Sequence, residues 1–270
     1  MPDRPNLTYQ YDGSLNGLLC CVFESYVQRE VPSAIRSEEE EQETLYPVKE
    51  IRTEAKNAKR IDTSIRSKMG EEAAGLIHEA FLNGSPDKGM AIYRFVRKGY
   101  QYGRRTVHML GDSDVSRIHR LAQAVRNERH LLLEFVRFSE YEGGLVSEIE
   151  PKHFVLPLMQ GHFCSRYPEE RFLIYDKTHE AALIYQPYEA HILPITQLEL
   201  PQEGEIRQEY RRLWKRYYDS IAIRERENPR CRMGHMPKRF WNHMLEMEQL
   251  VQPQFREPSG PAMLKKAEEE

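Results

Sequence analysis

Apolar positions along the chain recur at helical spacing in the first half and again near the end, and at alternating spacing in between. Leu15, Leu18, Leu19, Val22, Phe23 and Tyr26 fall at i, i+3, i+4, i+7, i+8 and i+11, which is one buried face of a helix. An extended piece over 8–14 precedes it and closes on an Asp12-Gly13 turn. Ser14 is placed to cap the helix, which stops before Pro32. Residues 45–53 have strand character, and Pro47 assigns them to a sheet edge. Three helical stretches follow. The first covers about 65–82 with Ala73, Ala74, Ile77 and Phe81 on one face. The second covers 87–101 with Ile92, Phe95, Val96 and Gly99, and the third begins after Gly111-Asp112-Ser113 with Val115, Ile118, Leu121, Ala122 and Val125.

The period then shortens to two. HLLLEFVRF (130–138) and GLVSEIEP (144–151) read as a hairpin around the YEGG turn. Residues 153–165 read as a short helix leading to His162. RFLIYD (171–176), AALIYQ (181–186) and EAHILPI (189–195) are three more strands. A long helix over 202–223 turns Ile206, Tyr210, Leu213, Trp214, Tyr217 and Ile221 inward, and a last one follows Pro237 over about 236–250. The tail 253–270 is rich in proline and charge and reads as disordered. Runs of helices, then strands, then helices argue an α+β fold. The expected arrangement is one domain over 1–252, helical over 8–129, with a central, mostly antiparallel sheet of about five strands over 130–196 and C-terminal helices packed on it.

The 270 residues carry 39 basic and 42 acidic side chains, a net charge of −3, so contact with a polyanion has to rest on local patches. Such patches exist. Residues 87–130 hold ten basic side chains against four acidic ones, a net +6, and residues 201–240 hold eleven against six, a net +5. The compensating acid lies in the EEEEQE run at 38–43 and in the tail. Arg outnumbers Lys in both basic segments, and its planar fork suits bidentate contact with phosphate. Tyr93, Tyr100 and Tyr102 interleave with one segment, and Tyr210, Trp214, Tyr217, Tyr218, Phe240 and Trp241 with the other. Cations that follow a phosphate backbone and rings that stack on bases form the signature of nucleic-acid contact. The same positions fit a packed aromatic face with an ordinary wet face behind it. The connector 224–241, RERENPRCRMGHMPKRFW, carries six of the eleven cations between the breakers Asn228-Pro229 and Met236-Pro237. The helix expected after Pro237 would also offer free N–H groups to an anion.

Other chemistry is thinner. Cys20 and Cys21 are adjacent, a spacing that suits a core helix and not a metal clip. No cofactor or metal site emerges. QGHFCSRY sets His162 two positions before Cys164, and His162 with Asp176 or His179 could supply acid and base groups; the sequence favours a structural or hydrogen-bonding role for His162. Glu148 and Glu150 alternate onto one solvated strand face. No stretch reaches the ~18 apolar residues of a membrane span, and the N-terminus lacks a secretion signal, so the expectation is a cytoplasmic protein.

Four stretches resemble a known family: YDGSLNGLLCCVFESY (11–26), YRFVRKGYQYG (93–103), PLMQGHFCSRYPEERFLIYD (157–176) and YRRLWKRYYDSIAIRERENPRCRMGHMPKRFW (210–241). The family is one associated with DNA metabolism and DNA repair, without an assigned activity. Its members accompany a radical-SAM protein, and a similar domain occurs fused to uracil-DNA glycosylase-like domains. The resemblance spans about 8–245. It implies DNA, single- or double-stranded, and a radical-SAM protein as partners, with any radical chemistry in the partner. It carries over no catalytic residue. Within its motifs fall Arg211, Arg224, Arg226, Asn228, Arg232, Lys238 and Arg239, and also His162, Phe163 and Arg166. Combined with the charge pattern, the nucleic-acid-contact residues are Arg94, Arg97, Arg104, Arg105, Arg211, Arg224, Arg226, Asn228, Arg230, Arg232, Lys238 and Arg239. The rival expectations are an enzyme acting on a damaged or modified base through His162, Asp176 and His179, and an interaction module for the radical-SAM partner.

Overall fold

A computed structural model describes residues 7–38, 46–141, 143–196, 198, 228–244 and 247. The chain resolves into two compact units, Met1–Leu198 and Glu199–Glu270. The fold is mixed: helices and a small sheet in the first half, a five-stranded sheet in the middle and helices after it. The expected helix 202–223 and tail 253–270 lie outside the described residues.

The first unit opens with β1 (Thr8–Tyr11) and α1 (Leu15–Val27). Ser14 caps α1 as its sequence implies, its Oγ accepting the Gly17 N–H at 2.9 Å. Asp12 Oδ1 in turn accepts both the N–H and the O–H of Ser14. β2 (Ala34–Ser37) and β3 (Val48–Glu50) then pair in parallel on either side of β1. β1 falls within the extended piece expected over 8–14, and β3 is the edge strand expected within 45–53. β2 and the parallel pairing were not expected; β2 is only four residues long, too short for an alternating pattern to register.

α2 (Ala55–Met69) and α3 (Glu71–Phe81) replace the single helix expected over 65–82. Gly70 separates them with φ +92°, a left-handed conformation that a side chain would strain. The charged first turns of α2 hid its start, because Ala58, Ile61, Ile65 and Met69 are a thin buried stripe on an otherwise polar helix. α4 (Lys88–Tyr102) runs into a 3₁₀ turn over Gly103–His108, and α5 (Ser113–Phe135) follows. Asp112 caps α5 through the N–H groups of Asp114 and Val115.

Residues 130–135, expected as a strand, are the end of α5. The apolar stripe of Val115, Ile118, Ala122 and Val125 continues to Leu132 at helical spacing, and Leu132 is buried. Extending an existing helix costs far less than nucleating new structure, so the β-favouring HLLLEF stretch stays helical. β4 is correspondingly short (Ser139–Tyr141), and it pairs antiparallel with β5 (Gly144–Ile149).

α6 (Leu156–Arg166) matches the expected short helix and links β5 to β6 (Phe172–Asp176). A helical crossover of this length permits parallel pairing, and β5 and β6 are parallel. β7 (Ala181–Gln186) and β8 (Glu189–Pro194) add two antiparallel pairings, giving the order β4-β5-β6-β7-β8. Glu148 and Glu150 share a face as expected, and Lys177 Nζ lies 3.7 and 3.6 Å from them.

Side-chain hydrogen bonds join the helical layer to the loop before α6. The carboxylate of Glu128, buried on α5, accepts the N–H groups of Lys152 and His153 at 3.0 and 2.7 Å. The Asn83 amide donates to Leu121 O, and Gly84 N–H donates to His153 Nδ1. Cys20 and Cys21 are buried in α1 as small apolar groups, and burial pushes the Cys21 thiol up.

Beside the small sheet, buried Tyr9 donates its hydroxyl to Glu30 Oε2 at 2.7 Å, and Lys49 Nζ bridges Glu24 and Glu30 at 3.0 Å each. Burial works against the Glu30 carboxylate, but the Tyr9 and Lys49 hydrogen bonds outweigh it and hold Glu30 below its ordinary value. This contribution to stability is therefore complete above the unfolded carboxylate pKa and is lost as pH falls through the lower folded value. Tyr9→Phe should cost about 1–3 kcal/mol at neutral pH. The gap to the parent protein should narrow as pH drops below about 4, as urea unfolding across a pH series would reveal.

Candidate nucleic-acid interface

The cations of the basic segment 87–130 divide into those that carboxylates hold and those they do not. Lys98 is paired with Asp112 and Asp114, Arg117 with Asp87, and Arg126 with Glu79. Arg120 donates to Ser116 Oγ, and Arg129 donates to Leu158 O. Among the described residues, six arginines of the segment have no carboxylate partner: Arg94, Arg97, Arg104, Arg105, Arg120 and Arg129. The sequence reading selected the first four of them. Arg94 is exposed on α4, and Arg104 and Arg105 are exposed on the 3₁₀ turn that continues it.

α4 leaves only a narrow strip for such residues. Ala91, Ile92, Tyr93, Phe95, Val96 and Gly99 are buried, and the helix packs against α2, α3, α5 and β2. Arg94 and Arg97 fall on what remains, as do Lys98 and Gln101. Arg97 is half-buried and fixed: its Nη1–H donates to Tyr93 Oη at 2.9 Å. Its guanidinium carbon lies 5.3 Å from the Tyr26 ring centroid and 5.7 Å from that of Tyr93.

Arg97 belongs to a larger cluster of cations and rings contributed by α1, α2 and α4. The Tyr26 and Tyr100 rings are 5.5 Å apart and tilted. Lys68 Nζ sits 4.9 Å from the Tyr100 centroid, and Arg60 lies 5.8 Å from that of Phe23. Arg104 lies over the α2–α3 junction, its Cγ 3.8 Å from where a Cβ on Gly70 would stand. Burial raises the Tyr26 and Tyr100 hydroxyl pKa values, with Arg97 opposing it at Tyr26. The sequence reading missed Arg60, Lys68 and Tyr26. They lie outside the two charge-dense windows, and Tyr26 has the spacing of a core residue but is 42 % exposed.

The described part of the connector, 228–241, holds more regular structure than its breakers suggested. Residues Pro229–His235 form a short helix, α7, and Lys238–His243 form a 3₁₀ turn where a full helix was expected. A 3₁₀ turn of six residues does not supply the aligned N–H groups that an anion would use. Asn228 is committed to capping, its Oδ1 accepting the Cys231 N–H at 3.0 Å. Arg230 is exposed, Lys238 lies 5.9 Å from the Trp241 ring, and Arg239 lies 4.6 Å from that of Phe240. Trp241 donates its indole N–H to Met236 O. Arg232 falls within α7; Arg211, Arg224 and Arg226 lie outside the described residues.

The titratable candidates separate. Asp176, at the end of β6 and fully buried, accepts the N–H groups of Thr178 and His179 at 3.0 and 3.1 Å. Its Oδ2 lies 2.7 Å from His179 Nδ1, and Phe154 supports the imidazole at 5.4 Å. His162 stands apart on α6, its ring edge-on to Phe163, and hydrogen-bonds to neither residue. Burial pushes the Cys164 thiol up, the reverse of what an activated nucleophile needs. Among the described residues, no group of three or more His, Cys, Asp or Glu side chains could hold a metal ion, and no helix is long and apolar enough to cross a membrane.

Residues 86–246, more than half of the chain, match the model of a family described as a domain of unknown function, DUF4130. The chain belongs to this family. No curated protein and no solved structure matches it. The DUF4130 match starts just before α4 and takes in the 3₁₀ turn, α5, the five-stranded sheet and the 228–243 segment. All the arginines singled out from sequence, together with His162, Asp176 and His179, fall within it. Tyr26, Arg60 and Lys68 precede it, so the cation–ring cluster joins DUF4130 residues to side chains outside the matched stretch.

Within the DUF4130 sheet, Asp176 ties down the β6–β7 turn. Asp176→Ala would leave the Thr178 and His179 N–H groups without their acceptor. It should cost about 2–5 kcal/mol, read as a lowered urea midpoint with an unchanged slope.

Proposed function

We propose that this protein binds nucleic acid, and that it serves DNA metabolism or repair beside a radical-SAM protein, as the resemblance of its motifs implies. One observation carries the binding reading. Carboxylates neutralise Lys98, Arg117 and Arg126, yet Arg94, Arg97, Arg104 and Arg105 keep their charge on one helix and its 3₁₀ continuation. Arg94 and Arg97 lie one turn apart on α4, and Arg104 and Arg105 follow Gly103 on the 3₁₀ turn, so four cations fall within twelve residues of chain and can meet several phosphates. The exposed cations of the second unit, Arg230 and Lys238, extend the polyanion-binding capacity of the chain. DNA as the polymer, and the radical-SAM protein as the partner that performs chemistry on it, complete the reading.

The Asp176–His179 pair favours a second reading, in which the protein acts on a damaged base. A buried carboxylate that orients an imidazole through Nδ1 leaves Nε2 to take or give a proton. His179→Gln and His162→Ala proteins that both match the parent in a base-release screen on lesion-containing oligonucleotides would dispose of it.

For the binding reading, fluorescence anisotropy of labelled oligonucleotides between about 50 and 200 mM salt should show affinity falling steeply. The expected slope is about −0.7 to −0.9 per neutralised phosphate on a log–log plot. Replacing Arg94, Arg104 and Arg105 together by Ala should flatten that slope by about 2–3. Affinity indifferent to salt would overturn the proposal.

A further inference from the structure

We infer that the α1–α2–α4 face takes an unpaired strand, stacking bases on Tyr26 while Arg94, Arg104 and Arg105 hold phosphates; this rests on the nucleic-acid reading above and names its ligand. The first argument is the shape of the face. A protein that reads a duplex directly inserts a helix or ribbon into a major groove about 12 Å wide. α4 cannot be inserted, because it is enclosed by α2, α3, α5 and β2, with only a strip of its surface open. It forms a platform. Backbone phosphates can lie along a platform, and base faces reach it only when they are not already stacked in a duplex.

The second argument is the ring itself. Tyr26 keeps 42 % of its surface in water at the end of a helix whose other large apolar residues are mostly buried. Its neighbour Val27 is 56 % exposed. Exposed apolar surface beside unneutralised cations is the pairing that single strands use, since every base has a face to stack and every nucleotide a charge. The ring is also held in place. Arg97 lies against it at 5.3 Å, and the Tyr100 ring, itself covered by Lys68 at 4.9 Å, braces it at 5.5 Å. A ring already fixed by its neighbours loses little side-chain freedom when a base arrives.

Among the described residues, Arg60, Lys68 and Arg97 have no carboxylate partner. The cations nearest the rings therefore remain available to phosphates, in contrast to Arg66 two residues from Lys68, which is paired with Asp62 and Glu71. DNA and RNA single strands share this chemistry, so the experiment carries both.

The test uses the full chain and three probes of one 20-nucleotide sequence: single-stranded DNA, single-stranded RNA and the DNA duplex, at one low salt concentration. Both single strands should bind more tightly than the duplex, and the tighter of them identifies the natural sugar. Tyr26→Leu, which removes the ring but keeps an apolar side chain, should weaken single-strand binding about 5- to 100-fold. It should leave duplex binding unchanged, and Tyr26→Phe should bind like the parent. Replacing Arg94, Arg104 and Arg105 by Ala should weaken all three probes. A second measurement needs no substitution at Tyr26: ultraviolet cross-linking of a 5-bromouracil strand to the parent protein, with the attachment mapped by mass spectrometry, should place it on Tyr26. Duplex binding equal to or tighter than single-strand binding would overturn the inference, as would cross-links that avoid α1, and both would leave the polyanion reading standing. Absence of binding to every probe would overturn the polyanion reading itself.

Discussion

The enclosure of α4 governs which charges the molecule displays. A helix packed on α2, α3, α5 and β2 must bury most of its circumference, and Ala91, Ile92, Phe95, Val96 and Gly99 supply small and apolar side chains for it. The polar positions are then confined to what is left. Arg94 and Arg97 fall one turn apart, and Arg105 follows on the 3₁₀ turn. Gly99 shows how close the packing is: a Cβ there would stand 2.0 Å from the Met69 methyl on α2. Bringing α2 that near to α4 also brings Lys68 over Tyr100, so core packing and the outer cluster of rings and cations share one cause.

Charge density along a sequence is a poor guide to charge in space. Within residues 87–130, Asp112 and Asp114 serve both as the start of α5 and as partners of Lys98. Glu79, which lies outside the window, pairs with Arg126. What survives neutralisation is a subset chosen by helix geometry. Arg97, a half-buried member of that subset, is held by rings in place of a carboxylate. A cation–π contact of this kind is worth about 0.5–1 kcal/mol, less than a buried ion pair would need to repay its desolvation, and it leaves the charge available.

Local rules made much of the fold legible. Ser14, Asp12 and Gly13 announced the start of α1, and the strands 172–176, 181–186 and 189–194 were readable from alternation and tight links. The failures also have local causes. The HLLLEF stretch carries β-favouring residues, but the stripe on α5 reaches through it to Leu132. Gly70 sits inside a continuous helical pattern and breaks it by conformation alone. In the N-terminal parallel sheet, β2 is too short to show a period, so the sheet that it completes was not read. At the candidate interface, the arginines were visible because charge accumulates in sequence. Tyr26, Arg60 and Lys68 were not, because they meet only when α1, α2 and α4 pack together, and no spacing encodes that.

The ties between Glu128, Asn83 and the 152–154 loop have a mechanical consequence. Glu128 takes two backbone N–H groups from the segment that leads out of β5, while Leu82 O accepts the Phe154 N–H and Gly84 N–H reaches His153. These bonds stitch the end of α3 and the middle of α5 to the root of the five-stranded sheet. The two halves of the first unit are thereby welded, so neither can open by hinge or shear without first exposing a buried carboxylate. Amide protons on both sides of the weld would exchange with solvent through a shared opening event, and the helical half would not breathe on its own.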